Sequence, residues 1–156
     1  MKEPRQKLSE AVKDLLIKGH SVELSAYGRS MIPFLRPGQK VKLTPTELSQ
    51  IVRGDLAAFH KQDYLVVHRV HAVLSVNGTI QLLTKGDSNL NPDAPVTSEN
   101  YLAKVDGVYR RDAWRTLSPT SLHSRLVLRL GKVYSVWFWC GNAPGTRHQS
   151  LGTSHF

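Results

Sequence analysis

Three segments of the chain carry residue types that could work together in nucleophilic chemistry. Ser30 stands in a stretch rich in turn-forming residues, His68 lies inside an apolar run, and Asp87 is followed six residues later by Asp93. A serine hydroxyl becomes a useful nucleophile when an adjacent base takes its proton. Neutral imidazole can be that base, and a carboxylate can fix its tautomer and stabilise the imidazolium that forms. The chain therefore holds the parts of a hydroxyl–imidazole–carboxylate site.

Each segment also has an ordinary structural interpretation. A serine between glycine and proline is typical of a turn. A single histidine in an apolar strand is typical of a packed core, and the aspartate segment has the composition of a polar loop that closes a hairpin. The chemical interpretation therefore depends on elements that bring the three segments together.

The pattern of apolar residues predicts a helix followed by a mainly β body. Helical spacing of leucine and valine, with proline at the start and glycine at the end, predicts a helix from Pro4 to Lys18. Alternation predicts a strand from Ser21 to Tyr27. Further strands are predicted at residues 40–43, 56–59, 64–76, 79–84 and 103–109. We expect an N-terminal helix in residues 1–20, a β domain in residues 21–116 and a basic C-terminal extension in residues 117–156.

The strongest local signal is Asn77-Gly78 between two apolar runs, which is the preferred sequence of a two-residue type I′ hairpin turn. With this turn, paired residues have numbers that add up to 155, and His68 lies opposite Asp87. Directly opposed side chains share a face of the sheet, so the register nominates Asp87 as the carboxylate beside the imidazole. One β-bulge would break the register, and Asp93 remains the alternative partner.

Several short motifs occur in a fixed order along the chain. They are Gly28-x-Ser30-Met31-x-Pro33, Gly54-Asp55, His68-Arg69-Val70, and Thr84-Lys85-Gly86-Asp87-x-Asn89 with Asp93 after it. Taken together they resemble the signal peptidase I family, and their order and spacing are similar to its endoplasmic-reticulum and archaeal branch. The resemblance covers about residues 25–108, and several motifs in one order are more specific than any single motif.

The resemblance implies a fold and an activity. The fold would be the coiled β-sheet of the signal peptidase and LexA-like serine peptidases, with an N-terminal helix. The activity would be cleavage of a peptide bond through an acyl-enzyme on Ser30, with His68 as general base in place of the lysine of bacterial enzymes. Asp87 and Asp93 match the two acidic positions of the family, and either could orient the histidine. The substrate would be a protein or peptide that bears a leader.

One position near the nucleophile departs from the family. Signal peptidases usually have a serine two positions before the nucleophile, whose hydroxyl helps to hold the oxyanion, and this chain has Gly28 there. We expect the backbone N–H of Ser30 to remain as a donor, with Gly28 and Met31 next to the oxyanion and the substrate. Arg29 is an alternative second donor, although a solvent-facing arginine is its ordinary interpretation. Loss of one oxyanion donor can cost roughly 10²–10³ in rate.

Charge and hydropathy suggest where the protein acts. The net charge is +9, and residues 101–156 carry 8 Lys and Arg against 2 Asp and Glu. From Leu122 to Cys140 a basic stripe lies opposite an apolar and aromatic one, which is typical either of a helix at an anionic membrane surface or of one docked on the protein's own sheet or on a partner. We find no secretory signal sequence and no run of about 18 apolar residues that could span a bilayer. We therefore expect a cytoplasmic, peripherally membrane-associated protein, and nucleic acid is not favoured as a partner.

Three other functions match parts of the sequence less well. A LexA-like self-processing regulator usually has a DNA-binding domain, and the residues before Ser30 are too few for one. A non-catalytic binding module with the same fold is the non-enzymatic alternative, which the departure at Gly28 favours mildly. A calcium loop beginning at Asp87 is rejected because Pro92 and Ser98 occupy positions that need glycine and glutamate. No cofactor or metal is expected.

Overall fold

The computed structural model describes residues 4–62 and 64–118, and this part of the chain is mainly β. Within it lie one α-helix, one 3₁₀ turn and seven strands of a single antiparallel sheet. In chain order the elements are α1 (Pro4–Ile17), β1 (Val22–Ser25), β2 (Lys40–Thr44), the 3₁₀ turn (Leu48–Gln50), β3 (Leu56–Lys61), β4 (Tyr64–Val76), β5 (Thr79–Lys85), β6 (Tyr101–Arg110) and β7 (Ala113–Thr116).

The predicted mainly β class is confirmed, together with the predicted helix and the six predicted strands, whose ends shift by a few residues. The 3₁₀ turn and β7 were not predicted. The helix predicted from Leu122 to Cys140 lies outside the described residues. No described helix is long and apolar enough to cross a membrane. The division into residues 1–20, 21–116 and 117–156 stays a prediction.

The sheet has the strand order β1-β2-β6-β3-β4-β5, so β6 lies near its centre. On one side β6 pairs with β2; on the other it pairs first with β3 and then, from Gly107 onward, with β7. Residues that are far apart in sequence therefore meet across β6. The long strand β4 lies between β3 and β5, which places His68 inside the sheet rather than at its edge.

Helix α1 covers one face of the sheet. Val12 and Leu16, four residues apart, are buried at 3% and 5% exposure, because this spacing puts them on one side of the helix. The helix packs over β1, β4 and β6. It ends where the N–H groups of Gly19 and His20 donate to the carbonyls of Leu16 and Leu15.

The core consists of two clusters, one on each face of the sheet. Successive residues of β3 point to opposite faces, so Leu56 and Ala58 belong to one cluster and Ala57 and Phe59 to the other. The helix and the segment after β1 complete the first cluster. Strand β5 and the loop that follows it complete the second with Leu82 and Val96, whose backbones pair with each other. The second cluster covers the face to which His68 belongs, since His68 pairs with Ala57.

The β4–β5 hairpin corrects the predicted register. The turn forms as expected at Asn77 and Gly78, which both have positive φ (51° and 77°), and pairs add up to 155 as far as Ala72 opposite Leu83. A bulge then leaves His71 without a partner on β5, and Val70 lies opposite Thr84. Strand β5 ends at Lys85, which pairs with Arg69. The prediction that His68 faces Asp87 across the ladder is therefore wrong, because one extra residue on β4 shifts everything beyond it.

Candidate active site

Ser30 lies in a tight segment that follows β1. The N–H of Ile32 donates to the Arg29 carbonyl, and the N–H of Leu35 donates to the Met31 carbonyl. Met31 and Leu35 are 5% and 2% exposed and belong to the first core cluster, whereas Ser30 is half-buried. The apolar side chains thus anchor the segment to the core, and the serine is left within reach of solvent.

The imidazole of His68 connects the serine to a carboxylate. Nε2 of His68 lies 3.0 Å from Ser30 Oγ, and Nδ1 lies 2.6 Å from Asp93 Oδ2. His68 is 4% exposed, and the ring of Phe59 meets its imidazole edge-on with the centroids 6.0 Å apart. Three segments separated by many residues therefore converge in a hydroxyl–imidazole–carboxylate series.

The series fixes the tautomer of the neutral ring. An ionised carboxylate can only accept hydrogen bonds, so Nδ1 of His68 carries the proton and donates to Asp93. Nε2 then has a free lone pair and accepts the hydrogen bond from the Ser30 hydroxyl. This is the arrangement in which an imidazole can take the serine proton.

Asp93 is held in the loop between β5 and β6 by several donors. Its N–H donates to the Thr84 carbonyl at 2.8 Å, and its Oδ2 accepts from Thr84 Oγ1 at 3.1 Å as well as from His68. Its Oδ1 accepts from Lys61 Nζ at 2.9 Å. Burial acts to raise the pKa of Asp93, but the hydrogen bonds and positive charges of His68 and Lys61 outweigh it, and the pKa lies below its ordinary value. The side chain is therefore a carboxylate at neutral pH.

Asp87 occupies a different place from the one predicted. Its two carboxylate oxygens accept from Nε and Nη2 of Arg69, both at 2.8 Å, and its side chain has no exposed surface. Arg69 also donates to the Gly54 carbonyl at 3.1 Å and lies over the ring of Phe34. Successive residues of a strand face opposite sides, so Arg69 points away from the face of His68. Asp87 is thus the partner of a buried arginine, and Asp93 is the carboxylate at His68.

The loop after β5 contacts the backbone of the segment that carries Ser30, a contact that the sequence did not predict. The N–H of Ser88 donates to the Ser30 carbonyl at 2.9 Å, and its hydroxyl donates to the Arg29 carbonyl at 2.8 Å. A Cβ added to Gly86 would lie only 2.7 Å from the Ser30 carbonyl oxygen and 2.9 Å from Ser30 Cβ. The glycine therefore permits an approach that no other residue would. The glycine of the Thr-Lys-Gly-Asp motif is visible in the sequence, but nothing in the sequence shows that it contacts Ser30.

The structure places the predicted oxyanion and substrate residues on either side of Ser30. Gly28 is exposed and has φ = 94°, a conformation that residues with a side chain rarely adopt, so the local backbone favours glycine at the position where the family usually has serine. Arg29 is exposed. Met31 is buried in the core, where its side chain anchors the segment, and its contact with substrate stays a prediction.

Within residues 4–62 and 64–118, no group of three or more His, Cys, Asp and Glu side chains is arranged to hold a metal ion. The groups that contact the ring nitrogens of His68 are instead the Ser30 hydroxyl and the Asp93 carboxylate, which suit proton transfer. Comparison of the chain with models of known protein families and with curated proteins finds no match. The geometry of Ser30, His68 and Asp93 is therefore the basis for assigning a function.

Proposed function

We propose that this protein is a serine peptidase in which Ser30 is the nucleophile, His68 the general base and Asp93 the carboxylate that orients the base. The observation that carries the proposal is the unbroken series of hydrogen bonds from Ser30 Oγ through both ring nitrogens of His68 to Asp93, at 3.0 and 2.6 Å. A serine in an ordinary turn needs no imidazole, and a core histidine needs no contact with a half-exposed hydroxyl. Both structural interpretations therefore leave this geometry unexplained.

The reaction follows from the positions of the protons. Ser30 Oγ attacks the carbonyl carbon of a peptide bond while its proton passes to Nε2 of His68. Asp93 stabilises the resulting imidazolium through Nδ1–H. The ring then donates the Nε2 proton to the departing amine, which leaves an acyl group on Ser30. A water molecule, deprotonated by the same nitrogen, attacks the ester carbon. The bond from that carbon to Ser30 Oγ then breaks, the acyl group leaves as a carboxylic acid, and Nε2 returns its proton to Ser30 Oγ.

The oxyanion of the tetrahedral intermediate needs donors next to Ser30. The backbone N–H of Ser30 can supply one. Gly28 has no hydroxyl to supply a second, so we expect a modest turnover compared with enzymes that have serine there. A Cβ added to Gly28 would meet nothing within 4 Å, so the open space beside this glycine leaves room for substrate to approach the backbone.

The resemblance to the signal peptidase I family supports the same proposal. The segment that carries Ser30 follows the first strand, the histidine lies on an inner strand, and the acidic residues lie in the loop after the next strand, in the order of the family's motifs. We propose that the sheet is of the signal peptidase and LexA-like type. By the same resemblance, the substrate would be a leader-bearing protein or peptide, processed in the cytoplasm or at a membrane surface.

Cleavage of a peptide library tests the proposal. The purified protein is incubated with unstructured peptides that include apolar leader sequences, and new termini are identified by mass spectrometry. We expect cleavage by the wild type, none by Ser30→Ala, and unchanged cleavage by Ser75→Ala, which removes an exposed hydroxyl from the β4–β5 hairpin. Equal products from wild type and Ser30→Ala would contradict the proposal. So would a wild-type protein that gives no products and whose Ser30 does not react with a serine-directed probe, which is the result that the binding-module alternative predicts.

A further inference from the structure

Lys61 is the last residue of β3, three positions before β4 begins at Tyr64. Its side chain is 55% exposed, yet its ammonium group reaches a carboxylate that is only 4% exposed, with Nζ 2.9 Å from Asp93 Oδ1. The motifs that carry the family resemblance do not include this lysine. Like His68, it acts on the Asp93 carboxylate through both a hydrogen bond and its charge.

The two oxygens of Asp93 are divided between different donors. Oδ2 accepts from His68 and from the neutral hydroxyl of Thr84, and Oδ1 accepts from Lys61. The titratable groups that act on the carboxylate are thus His68 from β4 and Lys61 from β3, and Thr84 of β5 contributes its hydroxyl. Because Lys61 takes Oδ1, the carboxylate is fixed in the plane that presents Oδ2 to the imidazole.

We propose that Lys61 is a positioning residue for the catalytic histidine, which it serves by orienting Asp93 and by balancing its negative charge. This inference rests on the proposed function for its effect on catalysis, but the contact between Lys61 and Asp93 does not. An uncompensated carboxylate beside an imidazole favours the protonated ring. With the ammonium group in place, part of that effect is cancelled, which favours the neutral ring that can accept the Ser30 proton.

The exposure of Lys61 sets the size of the effect. An ammonium group that is more than half exposed is screened by water and salt, so its influence is smaller than that of a buried charge. We expect Lys61→Met to move the acidic limb of the pH–rate profile upward by about half a pH unit. High salt should move the wild-type profile in the same direction and leave that of Lys61→Met almost unchanged, since screening acts on a charge that the variant lacks.

The test compares four proteins across pH 5–9. The rate of covalent labelling by a fluorophosphonate probe is measured for wild type, Lys61→Met, Lys61→Arg and Lys18→Met, the last of which removes an exposed charge just after α1. We expect a shifted acidic limb in Lys61→Met only. Coincident profiles for wild type and Lys61→Met would overturn the inference, and so would a rate that falls equally at every pH, because that result describes a purely structural contact.

A second measurement separates this inference from the proposed function. In Ser30→Ala protein, which cannot react, the carboxyl carbon of Asp93 is titrated by NMR with and without Lys61→Met. The pKa of Asp93 should be higher in the protein that lacks Lys61, because a cause of its lowering is gone. Equal pKa values would overturn the role of Lys61 whatever the enzyme does. An unreactive wild type with a raised pKa for Asp93 would instead contradict only the proposed function.

Discussion

The carboxylate of Asp87 lies in a buried, two-pronged ion pair with Arg69, on the side of β4 opposite to the imidazole of His68. The two acidic positions of the loop thus have different partners and different tasks. Asp87 neutralises the Arg69 guanidinium, which is packed over Phe34, and Asp93 accepts the hydrogen bond from the imidazole of His68. This division leads to opposite expectations for two substitutions that the sequence could not distinguish.

Asp87→Asn should mainly destabilise the fold. It leaves the Arg69 guanidinium buried with its charge uncompensated, and removal of one partner of a buried pair costs about 3–5 kcal/mol. Urea unfolding at neutral pH measures the change. Labelling of Ser30, corrected for the folded fraction, should remain within a few fold of the wild type. An unchanged unfolding midpoint would show that the ion pair does not hold the loop.

Asp93→Asn should mainly abolish reaction. An amide can donate its N–H to the ring and so stabilise the wrong tautomer of His68, in which Nε2 carries the proton and cannot accept one from Ser30. The loss expected from such a change is about 10⁴-fold in rate. Labelling kinetics of the folded variant check this. If Asp93→Asn reacts at the wild-type rate while Asp87→Asn does not, the two roles are reversed.

Gly86→Ala should displace the nucleophile. The added Cβ would lie 2.7 Å from the Ser30 carbonyl oxygen, so the backbone of one loop or the other must move. We expect a fall in the labelling rate larger than any loss of folded protein explains. Gly78→Ala is the control: it forces alanine into φ = 77° at the hairpin turn but meets nothing within 4 Å. Gly78→Ala should lower the free energy of unfolding and leave the labelling rate of the folded protein unchanged. Equal labelling rates for Gly86→Ala and wild type would argue against the tight contact between Gly86 and Ser30.

The low pKa of Asp93 predicts a pH-dependent contribution to stability. A carboxyl whose pKa is lower in the folded than in the unfolded chain stabilises the fold at pH values above its unfolded-state pKa, which is 3.8 for Asp93. This stabilisation is lost as the pH falls through the pKa of the folded state. The difference in unfolding free energy between wild type and Asp93→Asn should therefore be largest above about pH 5 and shrink below about pH 4. Denaturant unfolding from pH 2.5 to pH 6 measures it, and a constant difference would contradict the assignment.

The sequence was a good guide to the elements of the fold. The helix could be predicted because Val12 and Leu16 recur on one face, and the strands because apolar residues alternate between turn signals. Strand β7 could not, since its residues are all exposed and show no apolar pattern. The mainly β class depended on patterns repeated over many residues, so errors at single positions did not affect it.

The site was predicted less completely, for a specific physical reason. The Asn77-Gly78 turn correctly sets the register near itself, but the bulge at His71 depends on tertiary packing and has no signature in the local sequence. One extra residue was enough to remove Asp87 from the predicted pair. The contact between Asp93 and His68 depends on the path of an irregular loop, and Lys61 joins it from another strand. Neither contact follows from sequence spacing.

The reactivity of Ser30 tests the proposed mechanism most directly. A fluorophosphonate probe phosphonylates an activated serine with loss of fluoride, and digestion followed by mass spectrometry locates the adduct. We predict one adduct, on Ser30, formed in the native wild type, absent from Ser30→Ala and reduced to the rate of the urea-unfolded protein in His68→Ala. Labelling that is unchanged in His68→Ala, or a native wild type in which Ser30 reacts no faster than after unfolding, would contradict the mechanism.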